Sequence, residues 1–146
     1  MIEGFGDASL SLAFAAVGSA LGTGAAGMAA VGAWKKAFSS KKAAPFTLLA
    51  FVGAPLTQTI YGLILRGSII EANLPPSTYV MQIVLGLAAG IAMGASAYMQ
   101  GKAAARACDA LVETGEGFGQ YIMVLGIIET VALFVMAFTM IALPAA

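Results

Sequence analysis

The sequence predicts an all-α membrane protein whose four transmembrane helices form two tandem repeated hairpins. Three observations predict it. The chain of 146 residues is 60% hydrophobic and only 10% charged, with a mean hydropathy of +0.93, whereas a soluble domain carries about 25% charged residues. Four apolar stretches each reach the roughly 20 residues that a bilayer-crossing helix needs. The two halves also read as copies of one hairpin. Seven acids balance seven bases, so no charge excess points to a nucleic acid or an acidic partner. With no His and a single cysteine, Cys108, a zinc site or a disulfide framework is excluded.

The first span is expected over Leu10–Gly32. Glu3 and Asp7 precede it and no Lys or Arg occurs before Lys35, whereas a secretory signal begins with a basic stretch. A retained helix is therefore expected there. The second, third and fourth spans are expected over Phe46–Leu65, Tyr79–Tyr98 and Tyr121–Leu143. Lys35, Lys36, Lys41 and Lys42 fall in the first connection and Lys102 and Arg106 in the third, while only Arg66 lies near the second. Short connections rich in Lys and Arg mark the cytoplasmic side. Both termini and the middle connection, "GSIIEANLPPSTY", are thus expected on the extracytoplasmic side of the cell membrane.

The repeat divides the chain into a first transmembrane hairpin over residues 1–73 and a second over residues 74–146. Each opens with a Gly-rich helix, "VGSALGTGAAGMAAVGA" and "LGLAAGIAMGASAYMQGKAAA". Laying "APLTQTIYGLI" on "LGIIETVALFV" superposes Gln58 on Glu129 and Thr59 on Thr130. Only the second hairpin carries the carboxylate. Gly86, Gly90 and Gly94, like Gly18, Gly22 and Ala26, are spaced to clear one helix face of side chains, so that another backbone can come close. Two readings fit: packing within one four-helix chain, or an inner wall where identical helices from many subunits crowd together.

Glu129 is the lone carboxyl, and the lone side chain of the charged types, in "YIMVLGIIETVALFVMAF". A charge at the bilayer centre costs at least ~2.5–3.5 kcal/mol, and no Lys or Arg lies at comparable depth to pair with it. Polar groups do. Thr57, Gln58 and Tyr61 fall on one side of the second span, with Ala54 one turn earlier on the same stripe. Pro55 removes a backbone donor and is expected to loosen carbonyls there. Gln100 is available from the third span, and Thr130 follows Glu129. A carboxylate, a hydroxyl, two amide oxygens and a backbone carbonyl make an all-oxygen donor set, which suits a hard cation. One negative charge neutralises a monovalent ion, so Na+ is the expected cargo. The competitor is H+, carried by a carboxyl whose apolar surroundings favour its neutral form; the surplus of amide oxygens argues for Na+.

The Gly-rich hairpins, "TQTIY", "QGKAAA" and "IIETVAL" resemble the membrane-rotor proteolipid of V-type and A-type ATPases in its duplicated four-helix, Na+-binding form. The resemblance covers essentially the whole chain. It implies an ion site of Glu129, Gln58, Thr57, Gln100 and the Ala54 carbonyl, supported by Tyr61 and Thr130. Ala54 departs from the bulkier residue expected there, which affects a carbonyl ligand little. Tyr61 would hydrogen-bond the carboxylate and hold it closed. The resemblance further implies a homo-oligomeric ring plugged by membrane lipid, with spans one and three inside and spans two and four outside. A stator membrane protein with an essential Arg would displace the ion, and a central stalk would couple rotation to ATP hydrolysis or synthesis elsewhere. On this reading the chain is no enzyme by itself. Its basic first loop, "WKKAFSSKKAA", would dock the stalk or contact lipid headgroups. A small proton-coupled secondary transporter is the alternative from another class, although the only Trp, Trp34, lies at the loop rather than in a pocket. A structural tetraspan is opposed by the intramembrane acid.

Overall fold

The computed structural model describes residues 2–144, which contain helices and no strand. Five α-helices follow in order: α1 over Leu10–Ser39, α2 over Leu48–Gly53, α3 over Thr57–Glu71, α4 over Tyr79–Thr114 and α5 over Phe118–Ala142. A single 3-10 turn, Ala54–Leu56, joins α2 to α3, so these form one interrupted span. Four helical stretches are long and apolar enough to cross a membrane. Their surfaces expose large apolar side chains all along the bundle, including Met28, Val31, Ile60, Val84, Met123, Ile127, Phe134 and Ile141. Such a surface is stable against hydrocarbon and not against water. The chain is a multi-pass membrane protein.

The helix ends follow local chemistry. Asp7 is buried and caps α1: its two carboxylate oxygens accept the N–H groups of Ser9 and Ser11, each at 2.9 Å. The Gly6 N–H donates to Gln82 Oε1 on α4 at 2.7 Å, and Arg66 Nε on α3 donates to Ser9 Oγ at 2.7 Å. The N-terminal segment is thereby tied across two other spans. At the other end, α4 runs to Thr114 because "KAAARACDALVET" contains no breaker, and Gly115 stops it with φ 75°, its N–H donating to the Leu111 carbonyl at 2.8 Å.

These ends correct the expected connections. Lys35 and Lys36 lie on α1 and Lys102 and Arg106 on α4, not in loops. Residues 67–71 of the expected middle loop belong to α3. At 36 residues, α4 measures about 54 Å, well beyond the ~30 Å hydrocarbon core. The basic residues sit on the projecting turns, where Lys36 pairs with Glu113. Both partners are exposed, so the pair adds little stability.

The Gly stripes meet one another inside the chain, as the first of the two readings expected. Gly18 lies against the Gly94 backbone, and Gly22 against those of Ala97 and Gly101; a Cβ at any of them would collide with main chain. α1 and α4 therefore pack backbone to backbone, and bulkier α2–α3 and α5 lie outside that pair. Pro55 acts as expected. Lacking an N–H, it cannot continue the α-ladder, and the helix passes through the 3-10 turn at that point. Below the break, Phe51 is fully buried, its ring 5.3 Å from Phe118 and 6.2 Å from Tyr121.

Candidate ion-binding site

The break at Pro55 sets the position of the site. α3 restarts at Thr57, so Gln58 and Tyr61 share the face turned towards α4 and α5. Glu129 lies midway along α5, partly buried. Its Oε1 accepts the Tyr61 hydroxyl at 2.6 Å, and its Oε2 accepts Gln100 Nε2 from α4 at 3.1 Å. Gln100 is fully buried and its Nε2 also lies 3.0 Å from the Leu125 carbonyl, one turn before Glu129 on α5. Gln58, also fully buried, donates Nε2 to Gln100 Oε1 at 2.9 Å. The Thr57 hydroxyl lies 3.2 Å from Gln58 Oε1 and 3.1 Å from the Ala54 carbonyl.

Carboxylate, two carboxamides and the Thr57 hydroxyl therefore lie in one polar row that reaches the Ala54 carbonyl, the single Thr57 proton being donated either to Gln58 Oε1 or to that carbonyl. Glu129 touches Tyr61 and Gln100 directly, Gln58 through Gln100, and Thr57 and Ala54 at one further remove. Thr130, expected to support the acid, is turned away: exposed, it donates to the Ile127 carbonyl of its own helix at 2.6 Å. The reason is helical spacing, since adjacent residues point about 100° apart. Ser96 was not anticipated. One turn before Gln100, it donates to the Ile128 carbonyl at 2.8 Å. Two α4 side chains thus bond α5 carbonyls on either side of one turn and fix the rotation that aims Glu129 at Tyr61. The i, i+4 spacing of Ser96 and Gln100 was the available sequence signal.

Both oxygens of Glu129 accept hydrogen bonds from uncharged donors, the arrangement a carboxylate needs when no cation side chain is present. The ion pair among the described residues is Lys36–Glu113, on the projecting ends of α1 and α4. No three His, Cys, Asp or Glu side chains cluster among the described residues, so the protein groups offer a single negative charge and neutral oxygens. That donor set fits a small monovalent hard cation and leaves a divalent ion under-neutralised.

The family model for the ATP synthase C subunit matches residues 83–142. No curated protein matches the chain. The matched segment is α4 from its second turn together with α5, the hairpin that carries Gln100 and Glu129. The second hairpin is thus similar to the ATP synthase C subunit over that segment.

Proposed function

We propose that the protein is the rotor-ring subunit of a V-type or A-type rotary ATPase and carries Na+ across the membrane at Glu129. The observation that carries this reading is the intramembrane Glu129, held at both oxygens by Tyr61 and Gln100, in the segment that matches the ATP synthase C family. The other half supports the duplicated form: Gln58 takes the place of the acid in the first hairpin, so each chain of four helices would hold one ion. Glu129, Gln58, Thr57, Gln100 and the Ala54 carbonyl would supply the oxygens, with Tyr61 holding the carboxylate in place. Many copies would close a ring with α1 and α4 lining a lipid-filled interior and α2–α3 and α5 facing outward. At the stator an Arg would displace the ion, and a central stalk would link rotation to ATP hydrolysis or synthesis elsewhere. The chain performs no catalysis alone. At 100 mV each ion crossing is worth ~2.3 kcal/mol. The N-terminus and the Asn73 connection would lie on the extracytoplasmic side, and the lysine-bearing helix ends in the cytoplasm.

Carbodiimide labelling of Glu129 tests the cargo, because the reagent attacks the protonated carboxyl. On the sodium reading, Na+ slows labelling at fixed pH and K+ does not. Labelling indifferent to Na+ up to high concentration would transfer the same site to H+. Migration in mild detergent tests the ring: one large homo-oligomer is expected, whereas a monomer or dimer would favour a secondary transporter.

A further inference from the structure

Two buried hydroxyls, Ser19 Oγ and Thr23 Oγ1, have no hydrogen-bond partner among the described residues. Ser19 is only 2% exposed. The two lie one turn apart on α1, on the face turned to the second span. Down that interface Gly62 packs on Ala15, Pro55 on Gly22 and Val52 on Gly27. This order puts Ser19 between Gly62 and Pro55, level with Gln58, and Thr23 beside the break at Pro55.

The internal repeat shows what these positions do elsewhere. Laying "GSALGTGAA" (18–26) on "ASAYMQGKA" (95–103) superposes Ser19 on Ser96, Thr23 on Gln100 and Gly24 on Gly101. In the second hairpin Ser96 donates to the Ile128 carbonyl and Gln100 to the Leu125 carbonyl. The repeat counterparts of those carbonyls are Thr57 and Ala54. Thr23 lacks the carboxamide with which Gln100 spans the gap, so its hydroxyl stops short. Pro55, with no N–H, also leaves the Phe51 carbonyl without its helical donor. Buried hydroxyls nearly always have partners, and a buried water supplies two to four hydrogen bonds in a polar site.

We propose that α1 and the α2–α3 break bind an occluded water, held by the Ser19 and Thr23 hydroxyls and by a carbonyl of the Phe51–Ala54 segment. It takes the place that the Gln100 carboxamide takes in the second hairpin. By bonding the break from behind, the water orients the segment whose Ala54 carbonyl faces Thr57. In its functional consequence the inference rests on the ion-site reading; in the presence of the water it does not.

High-resolution density of the intact assembled protein reads the water directly. A peak within hydrogen-bonding distance of both hydroxyls is expected. Density in which Ser19 and Thr23 instead bond the Ala15 and Ser19 carbonyls of their own helix, with no peak between α1 and the break, overturns the proposal. Function is read by the Na+ concentration that halves carbodiimide labelling of Glu129. Thr23→Val, which keeps shape and removes the hydroxyl, should raise it about fivefold, the scale of one net hydrogen bond. Thr23→Gln, which supplies the carboxamide found in the other hairpin, should return it to within about twofold of the parent. An unchanged value in Thr23→Val overturns the water's role behind the site. If labelling of the parent protein ignores Na+, the sodium reading fails and the density peak alone decides for or against the water.

Discussion

The two hairpins can be laid on one another position by position, and the residues at matched positions differ. Gln58 in the first corresponds to Glu129 in the second, yet Gln58 is fully buried and donates towards Gln100 while Glu129 is partly buried and only accepts. Around them the contrast continues. Ala54, Thr57 and Tyr61 correspond to Leu125, Ile128 and Ala132, so hydroxyl and phenol groups on one hairpin become hydrocarbon on the other. Pro55, which breaks the second span, corresponds to Gly126 inside an unbroken α5. The second hairpin supplies the charge and one of its neutral donors, Gln100, and the first supplies the other, Tyr61. A carboxylate can only accept, whereas an amide both donates and accepts. Gln58 can therefore satisfy itself inside the bundle and still support a neighbour. Two acids at the matched positions would have to share the same donors.

Glu129→Gln gives both hairpins the same residue and should have the largest effect. Carbodiimide labelling and ion transport by the reconstituted complex should fall to background. Thermal stability in detergent should hold or rise, since an acid that costs at least ~2.5–3.5 kcal/mol at the bilayer centre is removed. Retained transport would break the comparison.

Gln58→Glu makes the halves alike in the opposite sense. Two carboxylates of like charge would then share donors that now serve one, so the protein should melt at a lower temperature in detergent. A melting temperature unchanged from the parent would mean that the two positions do not interact.

Tyr61→Phe removes the phenol that has no counterpart in the second hairpin. Loss of a hydrogen bond to a charged group should raise the half-protecting Na+ concentration about tenfold, with little change in helix content by circular dichroism.

Pro55→Ala has the smallest expected effect. It lets the second span run continuously, as α5 does, and restores a donor to the Phe51 carbonyl. The protein should melt at a higher temperature while the half-protecting Na+ concentration rises about threefold, because the segment carrying the Ala54 carbonyl is drawn into regular helix. A lower melting temperature would show that the break is needed for packing.

Much of the bundle was legible in the sequence because lipid imposes simple demands. Apolar runs of sufficient length, Gly spacing and the placement of Pro55 each correspond to an observed element. Helix ends were less legible. Hydropathy falls where a helix leaves hydrocarbon, but hydrogen bonding continues through an Ala-rich segment such as 103–110 until Gly115 ends it. Within the candidate site, Thr57, Gln58, Tyr61 and Gln100 were visible as polar residues at unexpected depth, and the structure connects them to Glu129. Thr130 reads as supporting because it is adjacent in sequence, yet adjacency on a helix turns a side chain away. Ser96 escapes notice because a serine in a small-residue helix resembles packing until its partner on α5 is known.

By itself, the sequence determined that the chain crosses a membrane as α-helices and that Glu129 is an acid in need of compensation, because both follow from transfer free energies of individual residues. The tertiary structure decided which groups compensate it, and that the two Gly stripes answer each other within one chain. Helix rotation and register are set by backbone contact at Gly18–Gly94 and Gly22–Gly101 and by the Ser96 and Gln100 bonds to α5. Helices apolar on nearly every face carry no hydrophobic stripe from which such rotation could be read, so only packing and polar pairing select it.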